Sequence, residues 1–293
     1  MTADFTFIGV PIDSVGRSGG TEHGPAKLRE LGLAELCGAD AGDLDVRIRG
    51  EERDAVTGIL ASSDVLTTTT AIRQATAAAL VAGERPFLVG GCCTVLPGAL
   101  AAARDVLGRS GVAYLDGHLD LSDGDTSPTG EAADMPLSVA LGRGPAAWVD
   151  VCDGASARSE DVVPIGYRDP EEVLAFEQIA PELGPAFRPV PKDEVRSDGP
   201  GAVGSRVAAD LATRAGRFWL HLDVDVLDED EFPATDYLLP DGLNMDELVT
   251  LMRPFAASPA LIGISIGCYN PEKDPGYSCG RALVEVFRAA LAP

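Results

Sequence analysis

Two short apolar runs in this 293-residue chain end in side chains that could do chemistry. Residues 112–115, Val-Ala-Tyr-Leu, lead into Asp116, His118 and Asp120. Residues 218–222, Phe-Trp-Leu-His-Leu, lead into Asp223 and Asp225. Apolar runs with β-branched and aromatic members read as buried parallel strands. The carboxyl ends of such strands are where open α/β sheets place their sites. A single Asp-x-Asp at a strand end is as readily a helix cap or a turn former. Two such ends, one with a His between its acids, point to cation binding instead. Four carboxylates and an imidazole on one sheet edge would repel each other unless cations held them. An oxygen-rich set of this kind suits Mn, Mg or Fe, and less typically Zn.

The scaffold that must position these groups is legible as an alternation of strand and helix patterns. Strands are expected at residues 5–10, 86–89, 112–115, 161–165, 186–190, 218–222 and 261–266. Helices are expected from near Pro25, at 68–82 and 95–106, from Pro170, and at 203–215, 244–256 and 281–291. Residues 38–67 are polar and acidic, and read as a surface excursion with little regular structure. Such alternation predicts a mostly parallel sheet within one domain, residues 1–293. The loop after the first strand, Gly16-Arg17-Ser18-Gly19-Gly20, allows positive φ and close backbone approach, or is a plain strand–helix connection.

Composition narrows the function classes. A net charge of −23 disfavours nucleic acid and anionic membranes as partners. No apolar run approaches the roughly 18 residues of a membrane span. The first residues, Met-Thr-Ala-Asp-Phe, lack the basic region of a signal peptide. The six cysteines include no Cys-x-x-Cys pair, so reduced thiols in a cytoplasmic protein are expected. Cys37 and Cys152 read as small packing residues.

Residues 116–120, DGHLD, resemble the Asp-Ala-His-x-Asp motif of the arginase (ureohydrolase) family. Residues 221–235, HLDVDVLDEDEFPAT, are similar to that family's second aspartate motif. The opening at 9–30 and the segment IGYRDPEE at 165–172 also resemble it, in the family's order. The resemblance implies a three-layer α/β/α sandwich with a mostly parallel sheet of about eight strands. It also implies two Mn ions, bridged by Asp116 and Asp223. His118 and Asp225 would complete one site; Asp120 and Cys93 would complete the other.

Several positions depart from the family's pattern. Gly90-Gly91-Cys92-Cys93-Thr94 stands where the family has Gly-Gly-Asp-His-Ser. Cys93 therefore replaces a metal-ligating His. A thiolate there would shift preference toward Zn or Fe; otherwise Cys93 is a small residue in a lost half-site. Ser122, Ser127 and Thr129 align with positions that hold an amino acid's carboxylate and amino group, and Tyr237 joins the candidate substrate contacts. Glu171 aligns with a carboxylate that grips the α-amino group, or is first-turn charge on the helix from Pro170. Ala133 stands where arginases carry a proton-shuttling His. Cys268 stands where a Glu pairs with the guanidinium, and a neutral thiol cannot give that bidentate pairing. His221, one residue out of phase with Asp223 on its strand, should face away from the site.

The resemblance thus implies a metal-dependent hydrolase acting on a small molecule, with a homo-oligomer expected. The reaction is cleavage of a C–N bond in an amidine, a modified guanidine or an amide by an activated water. Asp120 and Cys268 are the catalytic candidates. The alternative is a catalytically degenerate relative that only binds. The retained carboxylates oppose decay, because unpaired buried charge is costly. Thiol catalysis by Cys93 or Cys268 is a third reading, but no His is evidently placed to activate either. Turnover of L-arginine by Mn-loaded protein is expected to stay below about 1 per second, a low rate for an enzyme on its own substrate. Urea release measured at saturating arginine tests this, and a faster rate would overturn it.

Overall fold

A computed structural model describes residues 3–15 and 19–292, so residues 16–18 of the glycine-rich loop lie outside it. Seven strands form one sheet: β1 (Ala3–Val10), β2 (Cys37–Asp43), β3 (Arg85–Gly90), β4 (Gly111–Leu115), β5 (Val162–Ile165), β6 (Phe218–Asp223) and β7 (Leu261–Gly267). Their order is β2-β1-β3-β7-β6-β4-β5, and every pairing is parallel. The helices are α1 (Gly24–Glu30), α2 (Ser62–Val81), α3 (Val95–Leu107), α4 (Pro136–Ala140), α5 (Ala146–Val151), α6 (Pro170–Leu183), α7 (Lys192–Asp198), α8 (Pro200–Ala215), α9 (Met245–Ala256) and α10 (Ser278–Ala290).

Strand alternation divides the core into two slabs. Phe87, Val89, Ala113, Leu115, Phe218 and Leu220 pack with α8, α9 and α10. Leu88, Val112, Tyr114 and Trp219 point the other way and pack with α2 and α3. With both faces covered, the central strands are buried throughout, as a parallel sheet requires. The result is a three-layer α/β/α sandwich. The indole of Trp219 lies along β7 and donates through Nε1 to Ser265 Oγ at 2.9 Å. Its ring occupies the space above Gly263, where an added Cβ would sit 2.3 Å from Trp219 Cζ3.

The chain diverges from the sequence expectation in three places. Residues 37–43 are not irregular: they form the edge strand β2 beside β1. Six of its seven residues are at least partly exposed, so no apolar alternation marks it. Arg29 instead ties down its acids, reaching Asp40 Oδ2 at 2.8 Å and Asp43 Oδ1 at 2.6 Å. Charge on an edge also discourages pairing with other chains. Helix α2 begins at Ser62, six residues before the expected start at 68. In the threonine run at 67–70 the hydroxyls fold back on the turn before. Thr67, Thr69 and Thr70 donate to the carbonyls of Ser63, Val65 and Leu66 at 2.8, 2.9 and 3.0 Å. Residues 186–190 contribute only a bridge between Ile165 and Val190, so the sheet has seven strands rather than about eight.

Gly263→Ala should lower stability by about 1–3 kcal/mol, because the methyl must displace a fully buried indole. A reduced thermal or urea midpoint is the expected result; an unchanged midpoint would mean that Trp219 can move aside freely.

Candidate metal centre

Strands β6 and β7 enter the sheet last, yet they lie between β3 and β4. The carboxyl ends of these four neighbours carry every candidate ligand. Leu115 of β4 and Leu222 of β6 are in register, so Asp116 and Asp223 emerge side by side. After each strand the chain turns on its own aspartate. His118 N donates to Asp116 Oδ1 at 2.6 Å, and Asp225 N donates to Asp223 Oδ1 at 3.0 Å. Gly117 N donates across to Asp225 Oδ1 at 3.0 Å, joining the two loops. His118 Nδ1 then lies 3.0 Å from Asp225 Oδ2 and 3.6 Å from Asp116 Oδ1. Asp116, His118 and Asp225 each present a ligand atom within 4.8 Å of the others. Asp120 takes a left-handed backbone, φ 49°, and its carboxylate accepts a hydrogen bond from the Tyr114 hydroxyl.

The second strand pair brings thiols. Cys268 N donates to Gly91 O at 2.9 Å, which locks the end of β7 onto the end of β3. Gly267 permits this approach, since a Cβ there would lie 2.7 Å from Cys93 N. The Sγ atoms of Cys92, Cys93 and Cys268 consequently all lie within 4.8 Å of one another. Cys92 and Cys93 are 3.9 Å apart, and the Cys93 thiol donates to Ala133 O at 3.5 Å. All six cysteines are unpaired and buried.

Burial sets the electrostatics. Asp116 is pushed up to about 7, by desolvation first and by Asp225 second. Desolvation and neighbouring carboxylates hold Asp120 and Asp223 well above the usual range. For Asp225 desolvation acts upward, but His118 and the Gly117 N–H outweigh it and bring the group below its ordinary value. Desolvation acts downward on His118, while Asp225 and Asp116 outweigh it and raise the imidazole well above its ordinary value. Every direction reports the same demand: these acids want positive charge beside them.

The substrate candidates are placed less uniformly. Ser127 Oγ and Thr129 Oγ1 both donate to Asp134 Oδ2, at 2.6 and 2.8 Å, so these hydroxyls shape their own loop. Arg53 braces that loop through the carbonyls of Gly124 and Ser127 at 3.0 and 2.9 Å. Ser122 is half-buried nearby, its N–H bonded to Asp134 O at 3.1 Å. Glu171 is exposed on the first turn of α6. Its neighbour Glu172 turns inward instead and accepts from Leu119 N, between His118 and Asp120. The Tyr237 ring stands edge-on to His118 at 6.1 Å, and its hydroxyl donates to the buried carboxylate of Glu131. As alternation predicts, His221 lies on the far face, stacked on Tyr114 at 4.9 Å with Nδ1 2.7 Å from Ser265 Oγ.

A family model for the arginase family matches residues 3–292. The chain belongs to the arginase family. An N(omega)-hydroxy-L-arginine amidinohydrolase from Streptomyces lavendulae is 31% identical over 209 residues, covering 71% of this chain and 68% of that protein. An arginase from Brevibacillus brevis is 25% identical over 303 residues, 99% of this chain and 98% of its own. The crystal structure of Bacillus caldovelox arginase superposes with a TM-score of 0.91 at 24% identity, covering 100% and 99% of the two chains.

Arginase-family proteins are metal-dependent, and half of this edge fits a hard divalent cation. Asp116 Oδ2 is buried without a hydrogen-bond partner, beside the imidazole of His118 and the carboxylate of Asp225. The Cys93 end differs, because thiols stand there. Sequence reasoning missed four supporting groups. Cys92 was masked by its match to a family Asp, and Glu172 by a one-residue difference in helix phase. Tyr114 sits on the strand face opposite Leu115. Arg168 clamps the loop after β6, with NH2 donating to Asp225 O, Leu227 O and Leu239 O at 2.9, 3.0 and 2.9 Å. Removing the hydroxyl behind Asp120 in Tyr114→Phe should weaken metal affinity by about 10–100-fold, as for other groups that orient a ligand. Calorimetric titration of the metal-free variant checks this, with unchanged affinity as the contrary result.

Proposed function

We propose that this chain is a metal-dependent hydrolase that cleaves a C–N bond of a modified guanidine, an amidine or an amide, and that L-arginine is not its substrate. The observation that carries the reading is Cys268. It stands where the family resemblance places a guanidinium-pairing carboxylate, and it is a buried thiol beside Cys92 and Cys93. A single sulfur, protonated or metal-bound, cannot give the bidentate pairing that a guanidinium wants. The relative from Streptomyces lavendulae, named for N-omega-hydroxy-L-arginine, supports a modified guanidine.

Asp116, His118, Asp223 and Asp225 would hold a divalent cation, with Asp120 and Cys93 toward a second. Bound there, such ions supply Lewis-acid polarisation and lower the pKa of a water. The chain's own groups do the rest. Gly117 N–H, Leu119 N–H and Arg168 fix the two ligand loops, so the acids keep their aim when a substrate arrives. Tyr237 and Glu131 flank His118, where they can meet the polar end of a substrate. Ser122, Thr129 and Glu171 would meet the charged backbone of an amino-acid substrate. No imidazole replaces the shuttle missing at Ala133. The side chain of His23 is 60% exposed beside Glu22 and Glu272, and His221 is sealed behind Tyr114. The leaving amine must therefore take its proton from solvent or from a carboxylic acid.

With Mn-loaded protein, kcat/KM for N-omega-hydroxy-L-arginine should exceed that for L-arginine and agmatine by at least about tenfold, a difference of roughly 1.4 kcal/mol in transition-state binding. Comparable values for L-arginine would overturn the substrate assignment. No hydrolysis of any guanidine, amidine or amide would leave the binding role instead.

A further inference from the structure

We infer that Cys92, Cys93 and Cys268 form a soft, three-thiolate half-site for one zinc-like ion, set beside the harder set of Asp116, His118 and Asp225. The inference concerns the same sheet edge as the proposed reaction, but it does not depend on hydrolysis.

Geometry is the first argument. Two thiolates on a tetrahedral zinc, with Zn–S of about 2.3 Å, lie about 3.8 Å apart. Cys92 and Cys93 Sγ are already at 3.9 Å, and Cys268 Sγ is within 4.8 Å of both. Binding needs a contraction of less than about one ångström, which χ1 changes can supply without moving the backbone. The backbone itself is pinned by the Cys268 N–H bond to Gly91 O and by the Gly267 approach to Cys93.

The surroundings are the second argument. A buried cysteine often serves as a small apolar residue, and Cys37 and Cys152 fit that description. These three belong to the buried core but also border charged groups. Asp223 acts on the Cys268 thiol and Asp120 on the Cys93 thiol, each as a neighbouring negative charge. Ser14 Oγ and Thr94 Oγ1 hydrogen-bond each other at 2.9 Å, and Ser14 and the Thr94 N–H favour the charged form of Cys92. A zinc-like ion held by three protein ligands takes a water in its fourth position. Thiolates select zinc-like ions over Mn, whereas carboxylates suit Mn. The two ends of the edge would thus prefer different metals. Loading the soft end releases to solvent whatever protons the three sulfurs carry and leaves them as thiolate ligands.

The test uses full-length protein, reduced and freed of metal by chelation, then titrated with Co(II) alone without oxygen. One equivalent should give near-ultraviolet thiolate-to-cobalt absorption, and Zn(II) should displace it. Cys268→Gly suits the left-handed backbone at this position, φ 70°, and should cut that absorption by about a third and weaken Zn(II) binding at least about tenfold. Cys92→Ala should do the same if Cys268→Gly folds poorly. Cobalt bound with only weak visible bands would overturn the inference, since the metal would then sit on carboxylates and imidazole. A Cys92–Cys268 or Cys93–Cys268 disulfide that forms equally fast with and without Zn(II) would overturn it too. Hydrolysis without the thiolate absorption would remove this half-site and keep the enzyme; the absorption without hydrolysis would do the reverse.

Discussion

Repulsion among buried carboxylates is the constraint on which this molecule turns. Asp116, Asp120, Asp223 and Asp225 are all buried, at the ends of adjacent strands that water cannot flank. Left to themselves they would push the strand ends apart or take up protons. The fold offsets this with backbone N–H donors, the Tyr114 hydroxyl and the His118 imidazole. Those contacts satisfy some lone pairs, and Asp116 Oδ2 remains without one. The arrangement has the form of a receptacle for cations, because an apolar sheet edge would not need such support.

The same edge is chemically divided. Oxygen and nitrogen donors come from β4 and β6, while sulfur donors come from β3 and β7. One pair of strands was expected to supply a matched ligand set with the other. Instead Cys92, Cys93 and Cys268 gather into their own cluster. Cysteines from three separate sequence positions thus make one environment.

Much of this was legible in the sequence because burial on both faces leaves long apolar runs. The strands bearing Asp116 and Asp223 announced themselves in that way, and the spacing of their acids marked the candidate ligands. Strand β2 did not, because an exposed edge strand needs no apolar face and its acids are held by Arg29. The first residues of α2, from Ser62, lay within the stretch that read as irregular because they are polar and carry no apolar period. Cys268 read as a missing Glu, and its meeting with Cys92 was invisible, since that depends on β7 lying next to β3. Strand order is a property of the whole sheet, and no local pattern encodes it. Glu172 was lost to its neighbour Glu171 by a single step of helix phase.

The late insertion of β6 and β7 between β3 and β4 has a consequence for how the protein comes into being. Cys92, Cys93, Asp116, His118 and Asp120 belong to the first half of the chain, while Asp223, Asp225 and Cys268 arrive near its end. A ribosome-bound amino-terminal half holds at most part of each ligand set, with a gap in the middle of its sheet where two strands belong. Ion capture and closure of the sheet are then coupled events at the close of synthesis. A cell that starves this protein of metal would meet the shortage as slow maturation of new chains before it met it as lost catalysis.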